Sequence, residues 1–137
     1  MIVVDASVIV KWFIRTEEFD EIASNILATH LNRKNKILIP DFLYYEVGNT
    51  FATKTQFPAN NISRSLSKLY SFELIEHQLS QTDVVESTKL AKKHNTSVYD
   101  MFYAVLAKRH KCKLVTADRK FIEKTQFSHV IHISEYR

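Results

Sequence analysis

A chain of 137 residues, 45% of them hydrophobic, with 19 Lys and Arg against 15 Asp and Glu and a net charge of +4, holds apolar material for one core and is read as a single domain over 1–137. One cysteine, Cys112, excludes an intrachain disulfide and a cysteine-based zinc site, and one glycine, Gly48, excludes the dinucleotide fingerprint and the P-loop, which both need several. No apolar run nears the roughly 18 residues that span a bilayer, and Asp5 and Lys11 break up the opening stretch as a secretory signal, so the expectation is a cytoplasmic protein without a membrane partner.

In chain order, Ile2-Val3-Val4 predicts a strand over 2–4 that exits at Asp5 into a helix over 6–14. A helix over 18–31 leads to a strand at 37–39, closed by Pro40; Asp41 is placed to cap a helix over 41–54 that carries Glu46 and Asn49. Pro58 marks the break before a helix at 59–70, and a strand at 72–76 follows. Ser80 or Thr82 caps a helix at 81–94. The most apolar helix, 98–110, holds Asp100 and Tyr103. A strand at 113–116 leaves through Thr116 and Ala117 to Asp118, which opens a helix at 118–124, and a last strand lies at 129–133. Short apolar strands alternating with helices predict a parallel sheet covered on both faces, a three-layer α/β/α architecture. Such sheets bind ligands at the carboxyl ends of their strands, near a switch in strand order, and Asp5 and Asp118 both fall on that edge.

Four carboxylates therefore sit in apolar or strand-exit settings: Asp5, Glu46, Asp100 and Asp118. Burying a charge is costly unless something neutralises it. Asp5 and Asp118 have an ordinary reading as helix caps. Glu46 and Asp100 have one as partners of a buried base, although the nearest, Lys54 and Lys108, lie at the far ends of their segments. Taken together, four hard oxygen donors point to a shared Mg²⁺, with Mn²⁺ as its substitute. Such an ion activates water and neutralises a scissile phosphate, so no covalent nucleophile is needed. In a positively charged chain this predicts a metal-dependent nuclease, a hydrolase of phosphodiester bonds. Ser7, Asn49 and Thr116 are supporting candidates: Ser7 to orient Asp5, Thr116 to do the same for Asp118, and Asn49, one turn from Glu46, to hold that carboxylate or touch substrate.

The strand followed by Asp5-Ala6-Ser7, Glu46 with Asn49, Asp100 with Tyr103, and Thr116-Ala117-Asp118 resemble the motifs of PIN-domain ribonucleases, and among them the VapC-type toxins of bacterial and archaeal toxin–antitoxin modules. Order and spacing carry the resemblance, with residue-number differences of 41 from Asp5 to Glu46, 54 on to Asp100 and 18 on to Asp118. It runs from Met1 to about Ile133. It implies a PIN-like fold on a parallel sheet of about five strands and Mg²⁺-dependent endoribonuclease activity at Asp5, Glu46, Asp100 and Asp118. It also implies a homodimer and inhibition by a cognate antitoxin protein. A further acid shortly after the fourth, present in some relatives, would fall near Lys120 or Phe121 and is absent, which leaves one ion or two open.

The remaining signals are weaker. Lys108, Arg109, Lys111, Lys113, Arg119, Lys120 and Lys124 crowd the C-terminal third, and Lys11 and Arg15 lie nearer Asp5; each group is a candidate for phosphate contact or a solvated face. His129 and His132 are expected in one strand on opposite faces, and the six histidines have no metal spacing. Trp12 and Phe13 are expected as core or as dimer surface, and the Tyr44–Tyr45 pair as exposed surface for a dimer. The competing functions are a catalytically inactive PIN-like scaffold that binds RNA or protein, and an aspartate phosphotransfer enzyme. Ser7 stands where a dehalogenase-type phosphatase needs a second Asp, and a receiver's strand-end Asp and late Lys do not fit.

Overall fold

The structure, a computed structural model, describes residues 1–15, 18–54 and 56–137. Strands β1 (Ile2–Val4), β2 (Ile37–Pro40), β3 (Ile75–His77), β4 (Lys113–Thr116) and β5 (Val130–His132) form one sheet in the order β3-β2-β1-β4-β5. Every pairing is parallel. The flanking helices among the described residues are α1 (Ala6–Ile9), α2 (Asp20–Leu31), α3 (Leu43–Thr53), α4 (Ile62–Ser71), α5 (Gln81–His94), α6 (Val98–Arg109) and α7 (Arg119–Thr125). This is the expected three-layer α/β/α architecture. Ile2–Val4 and Ile37–Pro40 are buried along their whole length, as strands covered on both faces require.

Strand order decides where a site can form. The chain lays β2 and β3 on one side of β1, then crosses and adds β4 and β5 on the other. The winding reverses between β1 and β4, and a crevice opens there beyond the carboxyl ends. Val4 pairs with Val115, so Asp5 leaves the sheet level with Thr116. Glu46 reaches this edge from the first turn of α3, and Asp100 from the first turn of α6.

α6 is the spine of the packing. Met101–Ala107 is buried without interruption, and the helix is fixed at both ends. Ser97 caps its start, donating from Oγ to Asp100 Oδ2 at 2.8 Å and accepting from the Asp100 N–H at 3.0 Å. Near its end, Arg109 pairs with Asp83 Oδ1 and with Glu86 Oε2, each at 2.8 Å. Asp83, only 2% exposed, also closes a capping box with Ser80 and lies 3.2 Å from His77 Nε2, so α5, α6 and β3 meet on one carboxylate.

Several boundaries differ from the sequence reading. The helix over 6–14 is α1 followed by a 3-10 turn, Val10–Trp12. Asp41 is not the cap of α3: the helix starts at Leu43 after Phe42, with no side-chain cap bond. Of the strand at 72–76, only its last residues belong to β3; Phe72 closes α4 and Glu73 takes φ 53°, which ends the helix with a left-handed turn. His129 precedes β5 rather than alternating within it, and its ring lies against Phe127. Trp12 takes the core alternative, its indole donating to the Ala23 carbonyl at 2.9 Å, and Tyr44 is buried rather than exposed, stacking on Tyr70 with centroids 4.0 Å apart. Phe13 is half-buried against Phe51 and Phe72, which leaves Tyr45 as the exposed member of that set. Among the described residues no helix is long and apolar enough to cross a membrane.

Candidate active site

Asp5 follows β1 directly and caps α1, accepting from the Val8 N–H at 3.3 Å. Its Oδ1 also accepts from the Ser7 hydroxyl at 2.5 Å. The same Ser7 oxygen accepts from the Ala117 N–H at 2.9 Å, so one side chain ties the exit of β1 to the exit of β4. Thr116, itself buried, makes a second link: its hydroxyl helps to stabilise the Asp5 carboxylate, and its oxygen accepts from the Asp118 N–H at 3.0 Å. Thr116 thus meets Asp118 at its backbone N–H rather than at its carboxylate. Asp118 caps α7, accepting from the Phe121 N–H at 3.0 Å. The capping reading of Asp5 and Asp118 is correct, and it leaves each carboxylate on the crevice.

Glu46 and Asp100 approach from the helices. The Glu46 carboxylate accepts from the Tyr103 hydroxyl. Asp100 is held by Ser97, as above. Asn49 stands exposed on α3, while the Glu46 carboxylate takes Tyr103 as its donor.

The four acids form one electrostatic group. Burial pushes Asp5 from 3.8 up to about 6, opposed by the bonds from Ser7, Thr116 and Val8 and reinforced by Asp100. Burial also lifts Glu46 from 4.5 to about 7; Tyr103 works against it, and Asp5 and Asp100 add to it. Asp100 is raised by burial, with Ser97 opposing and Asp118 contributing. The neighbours that raise these three carboxylates are themselves acids: Asp100, Asp5 and Asp118. As the side chains stand, no group of three or more His, Cys, Asp or Glu among the described residues is arranged to hold a metal ion. Each acid is instead satisfied by its own donor: Ser7, Tyr103, Ser97, or the first turn of α7. The donor set is hard carboxylate oxygen, which fits Mg²⁺ in kind.

Cations gather on one flank. Lys11, 7% exposed, lines a cavity of about 440 Å³ with Ser7, Lys54 and Ala117. It also lines one of about 380 Å³ with Asp118, Arg119, Lys120 and His132. The basic residues of the C-terminal third divide accordingly. Arg119 and Lys120 line the cavity beside Asp118, whereas Arg109 is paired with Asp83 and Glu86, and Lys113 and Lys124 donate to the carbonyls of Ser128 and Asn95. The sequence reading passed over Ser97 as the partner of Asp100; a Ser three residues before an acid at a helix start was the available signal. Nothing local to α6 indicates that the Tyr103 hydroxyl reaches α3.

The family model described as PIN domain matches residues 2–126. The chain belongs to the PIN domain family. Ribonuclease VapC3 of Pyrobaculum aerophilum is 28% identical over 127 residues, covering 90% of this chain and 93% of that protein. Among solved structures, the toxin–antitoxin complex from Klebsiella pneumoniae superposes with a TM-score of 0.71 at 14% identity, over 99% of this chain and 100% of that one. VapBC2 from Rickettsia felis, bound to a DNA fragment from their promoter, superposes with a TM-score of 0.70 at 16% identity, over 96% and 98%. At these identities the superpositions speak for the fold. The matched span of this PIN domain runs from β1 through α7 and contains all four acids and both hydroxyl ties.

Proposed function

We propose that this PIN domain is a Mg²⁺-dependent endoribonuclease, with Mn²⁺ as a working substitute, and the toxin of a toxin–antitoxin pair. The observation that carries the reading is the crowding of Asp5, Glu46 and Asp100, each raised by burial and by another acid. Such a cluster at neutral pH calls for protons or a cation. The relative from Pyrobaculum aerophilum is named a ribonuclease, and the Klebsiella pneumoniae neighbour is a toxin–antitoxin complex.

Asp5, Glu46, Asp100 and Asp118 would hold the ion. Bound there, it supplies a more acidic attacking water and neutralises charge on the scissile phosphate. The protein's own contribution is to hold the ligands and the substrate. Ser7 and Thr116 fix Asp5 against the exit of β4, and Ser97 fixes Asp100. Arg119 and Lys120, beside Asp118, take flanking phosphates, and Asn49 is free to touch the RNA from α3. The active unit is a homodimer, and a cognate antitoxin protein inhibits it.

One observation favours the inactive scaffold, namely that no three acids stand ready around an ion. The scaffold leaves the repulsion among the acids without a purpose. Cleavage of a panel of structured RNAs in Mg²⁺, Mn²⁺ or EDTA decides between the two. Products with either metal and none in EDTA are expected; full activity in EDTA, or none in any condition, contradicts the proposal.

A further inference from the structure

We propose that Tyr103 is a positioning residue: its hydroxyl holds Glu46 in place relative to Asp100 and thereby sets how tightly the acids take a divalent cation. This rests on the metal-dependent reading above.

Tyr103 is 1% exposed, in the middle of the most buried helix. A buried hydroxyl needs a partner, and a backbone carbonyl would serve at the least desolvation cost. Tyr103 instead donates to a carboxylate on another element, 57 residues away in sequence. The two helices so joined each carry one acid of the site in their first turn: Glu46 on α3 and Asp100 on α6. Tyr103 lies one turn beyond Asp100, so its bond relates the two carboxylates directly. The ring is itself gripped by α3, because Phe42, the residue that opens that helix, packs edge-on against it with centroids 5.5 Å apart. Phe42 also contacts Phe102 and Tyr99 of α6. Aromatic packing fixes the helix spacing, and the hydroxyl then fixes which way Glu46 points. With one Glu46 oxygen committed to Tyr103, the other is left for a ligand. Partners that orient a ligating carboxylate typically change metal affinity by about 10–100-fold when removed.

The test is Mn²⁺ titration calorimetry on the full chain as wild type, Tyr103→Phe, Glu46→Ala and the double variant, beside thermal melts. Tyr103→Phe keeps the ring and removes the donor. The expected result is Mn²⁺ binding weakened about 10–100-fold, with a melting temperature lower by no more than about 3–5 °C, the cost of one buried hydrogen bond. Because Tyr103 acts through Glu46, Tyr103→Phe should add nothing in the Glu46→Ala background. Additive losses, or a melt lowered by more than about 10 °C, would make Tyr103 a packing residue and overturn the proposal. Wild-type Mn²⁺ affinity in Tyr103→Phe overturns it alone and leaves the metal-dependent reading standing. A wild-type protein that binds no Mn²⁺ overturns both.

Discussion

Asp5 and Glu46 leave the ordinary carboxyl range for the same reason: burial removes water, and neighbouring acids repel. A carboxyl raised on folding binds more protons in the folded state between its two pKa values, so its contribution to stability falls as pH rises through that window. For Asp5 the window runs from 3.8 to about 6, and for Glu46 from 4.5 to about 7. In EDTA, the melting temperature of the wild type should therefore drop relative to Asp5→Asn as pH is raised from 4 to 7. A difference that stays constant across that series contradicts the electrostatic reading. Ser7 gives a second expectation. Ser7→Ala removes a donor to Asp5 and an acceptor for the Ala117 N–H, and should cost about 1–2 kcal/mol in denaturant melts and about tenfold in RNA cleavage. Unchanged values would mean the tie across the strand exits is idle. At this scale the acids could be picked out from the sequence by chemistry alone, because carboxylates in apolar runs are conspicuous. Of their donors, Ser7 was legible beside Asp5, and Ser97 stands three residues before Asp100 at a helix start. The bond from Tyr103 to Glu46 depends on how α3 packs against α6, and no single segment encodes it.

Among the elements, α6 places Asp100, and the contacts at its far end hold it there. Burial alone would raise the Asp83 carboxyl, but the bonds from Ser80 and His77 and the Arg109 guanidinium outweigh it, and the net shift is downward from 3.8. A carboxyl lowered on folding contributes stability that is present above its unfolded pKa and lost as pH falls through the folded one. The wild type should thus lose its advantage over Asp83→Asn as pH is lowered below about 4. At pH 7, Asp83→Ala should cost about 2–3 kcal/mol, less than the about 3–5 of a fully buried pair because Arg109 is partly exposed. Urea melts at pH 3 and pH 7 measure both; equal differences at the two pH values would contradict the pairing. Helices were placed well from the sequence because their apolar periodicity runs over many residues. The strand at 72–76 and the Asp41 cap went wrong where the signal is short: Phe72 and Leu74 look strand-like, yet the left-handed turn at Glu73 that closes α4 delays the start of β3 to Ile75. Tyr44, next to the exposed Tyr45 in the first turn of α3, carries no local sign of its burial, which comes from stacking on Tyr70 of α4.

The whole molecule follows from alternation of strand and helix, which the apolar runs state openly. Strand order β3-β2-β1-β4-β5 does not follow from them, and it is the order that opens the crevice between β1 and β4. Self-association is expected at the surface that remains apolar. Tyr45, 78% exposed beside Glu46, and Tyr99, exposed beside Asp100 and edge-on to Phe42, replace Trp12 and Tyr44 as dimer candidates. Tyr45→Ser with Tyr99→Ser should shift sedimentation at micromolar concentration from dimer to monomer; a wild type that is already monomeric ends that expectation. The acids themselves are tested most directly by Asp100→Asn, which removes one ligand charge and almost no volume. RNA cleavage in Mg²⁺ should fall by on the order of 100-fold or more, the upper range for partners that merely orient a ligand. RNA binding by Arg119 and Lys120 should persist. Cleavage by Asp100→Asn at the wild-type rate would contradict the assignment of the four carboxylates as the catalytic site.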